Sequence, residues 1–208
     1  MRLSPGRRNF SNMKIIFDSY SPGESIPVQQ FIKNKKLAKY FNRETAAAIV
    51  SCGKLLRGAE FDPDLPFYYE TGVMEFEDLG LDAIAAGSLD EQGNFSQHLF
   101  VEKGAKAVHP LTQFKALYNM PLSFVSIEHG LTGDNAVIYA SARGLLMQAL
   151  HAPGEKDILL GSGKLYSDGR LHSSFALIGR DEIEGMSFPE SGCEAIDLFR
   201  NWAAGDRP

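Results

Sequence analysis

The sequence predicts an α/β protein with a mixed, mostly parallel sheet flanked by helices. Apolar runs of strand length alternate with alanine- and leucine-rich stretches in the order strand, helix, strand, excursion, strand, helix, strand, strand. That order builds parallel pairs through crossovers and leaves the last strand to run antiparallel. Size agrees, because 208 residues with 44% apolar and 23% charged content bury one sizeable core. No internal repeat competes with this reading.

The first twelve residues carry Arg2, Pro5, Gly6, Arg7 and Arg8 without periodicity and precede a second methionine, Met13. They read as a flexible tail, and residues 13–208 as one domain. Lys14-Ile15-Ile16-Phe17-Asp18-Ser19-Tyr20 is a first buried strand, stopped by Ser21-Pro22-Gly23. Asn42 is a helix cap, residues 45–56 supply an alanine-rich aliphatic stretch, and Gly58 closes the helix. A second strand is expected over residues 65–72, rich in aromatics. Glu75, Glu77, Asp78, Asp82, Asp90 and Glu91 follow as an acidic region, helical over residues 79–86 and turning at Gly87 and Gly93. Oxygen ligands for a hard cation are one reading of it; the spacing fits no calcium loop, and a solvated face is expected. Residues 136–140 form a third strand, Ser141-Ala142-Arg143-Gly144 breaks it, and residues 145–150 are helical. Strands are expected at 157–163, ending in a glycine turn, and at 173–179, before a terminal helix at 193–204 that carries Trp202.

A net charge of −5, with lysine and arginine spread along the chain, gives no basic stripe to neutralise a phosphate backbone, so nucleic acid is not an expected partner. Lys33, Lys35, Lys36 and Lys39 read as a solvated stretch, and only the fold can show whether they form the local basic patch that an acidic carrier protein needs. The two cysteines, Cys52 and Cys193, are far apart and read as plain buried or half-buried thiols. No apolar run approaches the about 18 to 20 residues that span a bilayer, and a cytoplasmic protein is expected. Gly161-Ser162-Gly163-Lys164 has the glycines of a phosphate loop, but Leu165 stands where a magnesium-binding hydroxyl belongs and Ile158 replaces the first glycine. No cofactor is implied.

The most specific pattern lies between residues 108 and 150. Val108-His109-Pro110 leads through Leu117-Tyr118-Asn119-Met120-Pro121 to Gly130-Leu131-Thr132-Gly133-Asp134-Asn135, then to the third strand and the break at Ser141-Ala142-Arg143-Gly144. In order and spacing this resembles the β-ketoacyl synthase pattern of a V-S-P segment, an L-P-N-M segment, a G-L-x-G-P-N turn, a strand, T-A-C-A-S-G and a helix. Over residues 40–180 the chain resembles the N-terminal half of a ketosynthase, which implies a thiolase-like half-domain. In that family a cysteine at the start of a buried helix is the nucleophile, since the helix dipole and free backbone N–H groups favour a thiolate and then hold an oxyanion. Here the cysteine is replaced. Counting without gaps from Gly133-Asp134-Asn135 puts its position on Ala142; aligning Gly144 with the motif's closing glycine puts it on Ser141. Arg143 and Gly144 stand where the oxyanion-like backbone is expected, and Asp134 departs from the family's proline.

A serine nucleophile needs an adjacent base. The resemblance implies that the family's two catalytic histidines come from the second half of a ketosynthase, which this chain does not match. Of the five histidines, His129 is the one candidate base, with a structural role as the expected alternative. His109 falls at a small structural position of the motif, while His98, His151 and His172 read as surface or loop residues. The resemblance therefore implies a catalytically inactive subunit like a chain-length factor, which lacks the cysteine and partners an active ketosynthase in fatty-acid or polyketide biosynthesis of pigment or polyene type. The alternatives are a minimal acyltransferase using Ser141 and a homodimeric module that binds acyl chains or another protein. In the thiolase-like fold the strand corresponding to Ala136, Val137, Ile138, Tyr139 and Ala140 pairs with its mate across a dimer axis, and alone it would be an exposed apolar edge. A dimer is expected, with itself or with a full-length ketosynthase, and an acyl carrier protein is a further partner to consider.

Overall fold

Strands β1 (Lys14–Tyr20), β2 (Phe67–Thr71), β3 (Asn135–Tyr139), β4 (Ile158–Leu165) and β5 (Leu171–Ile178) form one sheet in the order β1-β5-β4-β2-β3. The structure is a computed structural model and describes residues 13–72, 81–109, 114–115, 117–154 and 157–205. Residues 1–12, Glu75, Glu77, Asp78 and Pro110 lie outside the described residues. Seven helices are found among the described residues: α1 (Arg43–Leu56), α2 (Leu81–Gly87), α3 (Gln97–Glu102), α4 (Met120–His129), α5 (Ala142–Leu150), α6 (Arg180–Glu184) and α7 (Ala195–Ala204).

The pairing corrects one expectation. β2 runs parallel to β3 and β4, whereas β5 is antiparallel to both β4 and β1. β1 to β4 thus point one way and the last strand opposes them, as expected. Because β5 inserts between β1 and β4, however, half of the pairings are antiparallel, and the sheet is mixed rather than mostly parallel. A short hairpin turn makes this possible: Gly169 N–H donates to the Tyr166 carbonyl at 2.8 Å and Tyr166 N–H to that of Arg170 at 2.9 Å, so β5 folds straight back along β4.

Alternation along the strands divides the core in two. Phe67, Tyr69, Leu159 and Phe175 point to the layer of α1 and α4, with Ile49 and Val125. Tyr68, Ile158, Leu160 and Ala176 point to the layer of α5, α6 and α7, with Leu145, Leu146, Phe199 and Trp202. The central strands are buried on both faces, which is why β2 and β4 read as near-continuous apolar runs. Each large side chain so buried stabilises the fold by about 1.5–3 kcal/mol relative to exposure.

Local signals explain the positions of the elements. The Asn42 side chain accepts a hydrogen bond from Thr45 N–H at 2.7 Å and starts α1. α4, not foreseen as a helix, begins with Pro121 in its first turn and ends at Gly130, whose φ of 69° is left-handed. The segment after it is pressed against the entrance to β2: Thr132 N–H donates to the Pro63 carbonyl at 2.7 Å. A Cβ at Gly133 would overlap the Leu65 carbonyl and sit 2.6 Å from that of Asp64, so the turn needs a glycine. The glycine turn expected at 161–163 is instead the middle of β4, which continues to Leu165. A Cβ at Gly161 would meet the rings of Phe175 and Tyr69 at 2.7 Å; the glycine makes room for aromatic stacking, not for a phosphate.

The excursion between β2 and β3 packs differently. No residue of α2 or α3 is buried, and Leu81, Phe95 and Val101 are exposed. In its acidic turn, Asp90 accepts from Gln92 N–H at 2.9 Å and Asn94 N–H at 2.8 Å, an internal role that needs no cation.

Candidate functional site

The elbow between β3 and α5 is built at the open end of the sheet. Among the described residues β3 is an edge strand, hydrogen-bonded only to β2, and Tyr139 is 54% exposed. The strand stops at Tyr139, one residue before the expected end. Ala140 turns to φ 45°, the one non-glycine residue with positive φ among those described, while its N–H still donates to the Thr71 carbonyl at 2.8 Å. A left-handed alanine costs on the order of 1–3 kcal/mol and persists only where its surroundings fix it. The strain lies at the junction between β3 and α5, directly before Ser141 and Ala142.

The side chains and N–H groups after Ala140 are committed to the fold. Ser141 caps α5, its Oγ accepting from Gly144 N–H at 3.0 Å. Ala142 is fully buried, offers only a methyl group, and donates its N–H to the Cys193 carbonyl at 2.8 Å. Thus the N–H groups of Ala142 and Gly144, at the positive end of α5, already hold two oxygens of the chain itself. Arg143 is exposed. Gly144 lies close against β3, where a Cβ would meet Ile138 Cγ2 at 3.1 Å.

Cys193 lends its carbonyl to the elbow. Its thiol pKa is raised by burial and by the charges of Asp197, Glu70 and Glu194. The other cysteine, Cys52, is buried in the opposite layer, and burial pushes its thiol up as well.

Two buried carboxylates flank the C-terminal end of β2, one on each face, and sequence reading did not single them out. Glu70 accepts from Ser162 Oγ at 2.7 Å, and its Oε1 has no hydrogen-bond partner among the described residues. Burial raises its pKa to about 7, opposed by the Ser162 hydrogen bond and reinforced by Glu194; the N–H of Ala195 and the charge of Lys164 favour the ionised form. Lys164 in turn pairs with Glu194 just before α7. On the other face Glu44, at the start of α1, accepts from Tyr69 OH at 2.9 Å and Thr71 Oγ1 at 3.3 Å. Burial and the Glu44 charge hold the Tyr69 phenol well above its ordinary range. A lone carboxylate inside an aromatic strand was the signal available for Glu70.

His129 lies elsewhere. It ends α4 in the α1/α4 layer, against Phe61, while Ser141 and Ala142 start α5 in the other layer. The structure does not bring His129 and Ser141 together across the sheet. Burial and the Lys33 charge lower the His129 pKa to about 4, so the ring is neutral at ordinary pH. His98, His109 and His151 are exposed; His172 is half-buried within β5, its ring 5.0 Å from that of Tyr166, and so belongs to the sheet rather than a loop.

The four lysines are all exposed. Lys33 donates to the Glu128 carbonyl and Lys39 lies over the Tyr40 ring at 4.8 Å, while Lys35 and Lys36 are exposed on a short 3-10 turn. Among the described residues no three His, Cys, Asp or Glu side chains converge as metal ligands, and no helix is long and apolar enough to cross a membrane.

No family model matches the chain, and no curated protein matches it. Among solved structures, the ishigamide ketosynthase/chain length factor is similar, with 19% sequence identity and a TM-score of 0.47 over 81% of this chain and 50% of that one. The chain therefore spans about half the length of the structure it matches.

Proposed function

We propose that this chain is a non-catalytic, β-ketoacyl-synthase-like subunit that pairs with a cysteine-bearing ketosynthase and shapes its acyl tunnel in fatty-acid or polyketide assembly, of the pigment or polyene type. One observation carries the reading: at the strained strand-to-helix elbow the nucleophile position holds Ser141 as a helix cap and Ala142 as a buried methyl, and two N–H groups of the first turn already bind oxygens of the chain. The order and spacing of the motifs between residues 108 and 150 support the family assignment. The unpaired edge of β3 supports dimerisation, since an exposed strand with Val137 and Ile138 half-buried is a template for another chain. An acyl carrier protein would reach the assembly through the ketosynthase.

The test is capture of the tagged protein from its native host, with co-purifying proteins identified by mass spectrometry. A cysteine-bearing ketosynthase is expected in stoichiometric amount, and Tyr139→Lys, which puts a charge on the exposed end of β3, is expected to release it. Recovery of the protein without a ketosynthase, together with acyl transfer that depends on Ser141, would overturn the proposal in favour of a small acyltransferase.

A further inference from the structure

A cleft of about 340 Å³ opens between α1, α4 and the Val28–Gln30 turn. It lies in the α1/α4 layer, across the sheet from the elbow, and its use is independent of the subunit reading. We propose that this cleft binds a small organic monoanion with an apolar body, an aromatic or short-chain carboxylate, held by Arg57 and Lys33 beside the ring of His129.

The walls are apolar at one side and cationic at the mouth. Phe31 and Leu56 form the apolar surface. Arg57 lies over the Phe31 ring at 5.0 Å, is exposed, and has no carboxylate partner among the described residues. A guanidinium in cation–π contact with an aromatic ring and bonded to no carboxylate keeps N–H donors available for one. Lys33 is fixed at the opposite side by two bonds to Glu128: its ammonium donates to the Glu128 carbonyl, and its backbone N–H to Oε1 at 2.8 Å. Two cations against the single carboxylate of Glu128 leave one formal positive charge, the complement of a monoanion.

His129 lies on the wall of the cleft. Its Nε2 is buried and has no hydrogen-bond partner among the described residues, a costly state for a polar atom. Because the ring stays neutral, it adds no further unit of charge to the wall. A benzoate-sized body fits that space.

Titration of the full chain with benzoate, followed through the ring resonances of His129 and Phe31, tests the proposal. Saturable shifts of both rings are expected, and Arg57→Gln is expected to weaken binding by about tenfold or more, as loss of a charge-assisted hydrogen bond does. Lys33→Gln should weaken it as well, which guards against a folding defect in the Arg57 variant. Inorganic phosphate, which lacks an apolar body, should not saturate the same resonances. Shifts that never saturate, or an affinity unchanged in both variants, would overturn the site; phosphate binding as tight as benzoate would overturn the assigned ligand class.

Discussion

The elbow between β3 and α5 and the cleft between α1 and α4 lie on opposite faces of one sheet and use their polar groups in opposite ways. At the elbow, Ser141 Oγ, the N–H groups of Ala142 and Gly144 and the Cys193 carbonyl satisfy one another. In the cleft, Arg57 has no carboxylate and His129 Nε2 no partner among the described residues. Polar groups that hold a fold together are not free for a ligand, whereas the exposed guanidinium of Arg57 is open to one. A strained elbow can thus spend its polar groups on architecture, while unpaired cationic groups sit where no sequence motif points.

The largest expected effect is on pH dependence, because the two regions carry buried groups shifted in opposite senses. Glu70, on the elbow's face, is raised from 4.5 to about 7. The folded state therefore holds its proton more tightly than the unfolded chain, and the stabilisation is complete below pH 4.5 and lost as pH rises through 7. His129 is lowered from 6.5 to about 4, so its contribution is complete above pH 6.5 and lost as pH falls through 4. Each is worth on the order of 3 kcal/mol, and they oppose each other across pH 4.5–6.5. Urea denaturation as a function of pH should show stability that rises with pH in Glu70→Gln and falls with pH in His129→Gln. Parallel profiles in the two variants would break the comparison.

Next in size is Gly133→Ala, which forces a methyl group onto the Leu65 and Asp64 carbonyls at the turn that delivers β3 to the elbow. A loss of about 1–3 kcal/mol in urea denaturation is expected. Ser141→Ala removes the cap of α5 and should cost about 1 kcal/mol, an effect on stability alone. The smallest change is predicted in the cleft: Arg57→Gln should leave the denaturation midpoint within about 0.5 kcal/mol of wild type, since its guanidinium stacks on one exposed-side ring and bonds to no carboxylate.

These contrasts also explain what the sequence disclosed. β1 and α1 were legible because strand residues, the Asn42 cap and the stop after Leu56 are local signals, but β1, expected to be buried, stands at the end of the sheet with only Tyr20 buried. α4 was not, because Leu122, Phe124, Val125 and Ile127 give it little one-sided periodicity and Pro121 reads as a breaker until it falls in a first turn. The half-antiparallel pairing escaped because the place of β5 between β1 and β4 is a long-range choice. The elbow was legible as a strand end and helix start from Ser141-Ala142-Arg143-Gly144. Closure of its N–H groups was not, since Cys193 lies far along the chain. The cleft draws on the segment before α1, on α1 and on α4, so no window of sequence contains it.

Intact-protein mass spectrometry after incubation with an acyl thioester of a carrier protein tests the central claim most directly. The account predicts that wild-type protein and Ser141→Ala both retain their unmodified mass while a cysteine-bearing ketosynthase in the same tube is acylated. An acyl adduct on the wild-type chain that disappears in Ser141→Ala would contradict it, because the elbow would then carry a working nucleophile.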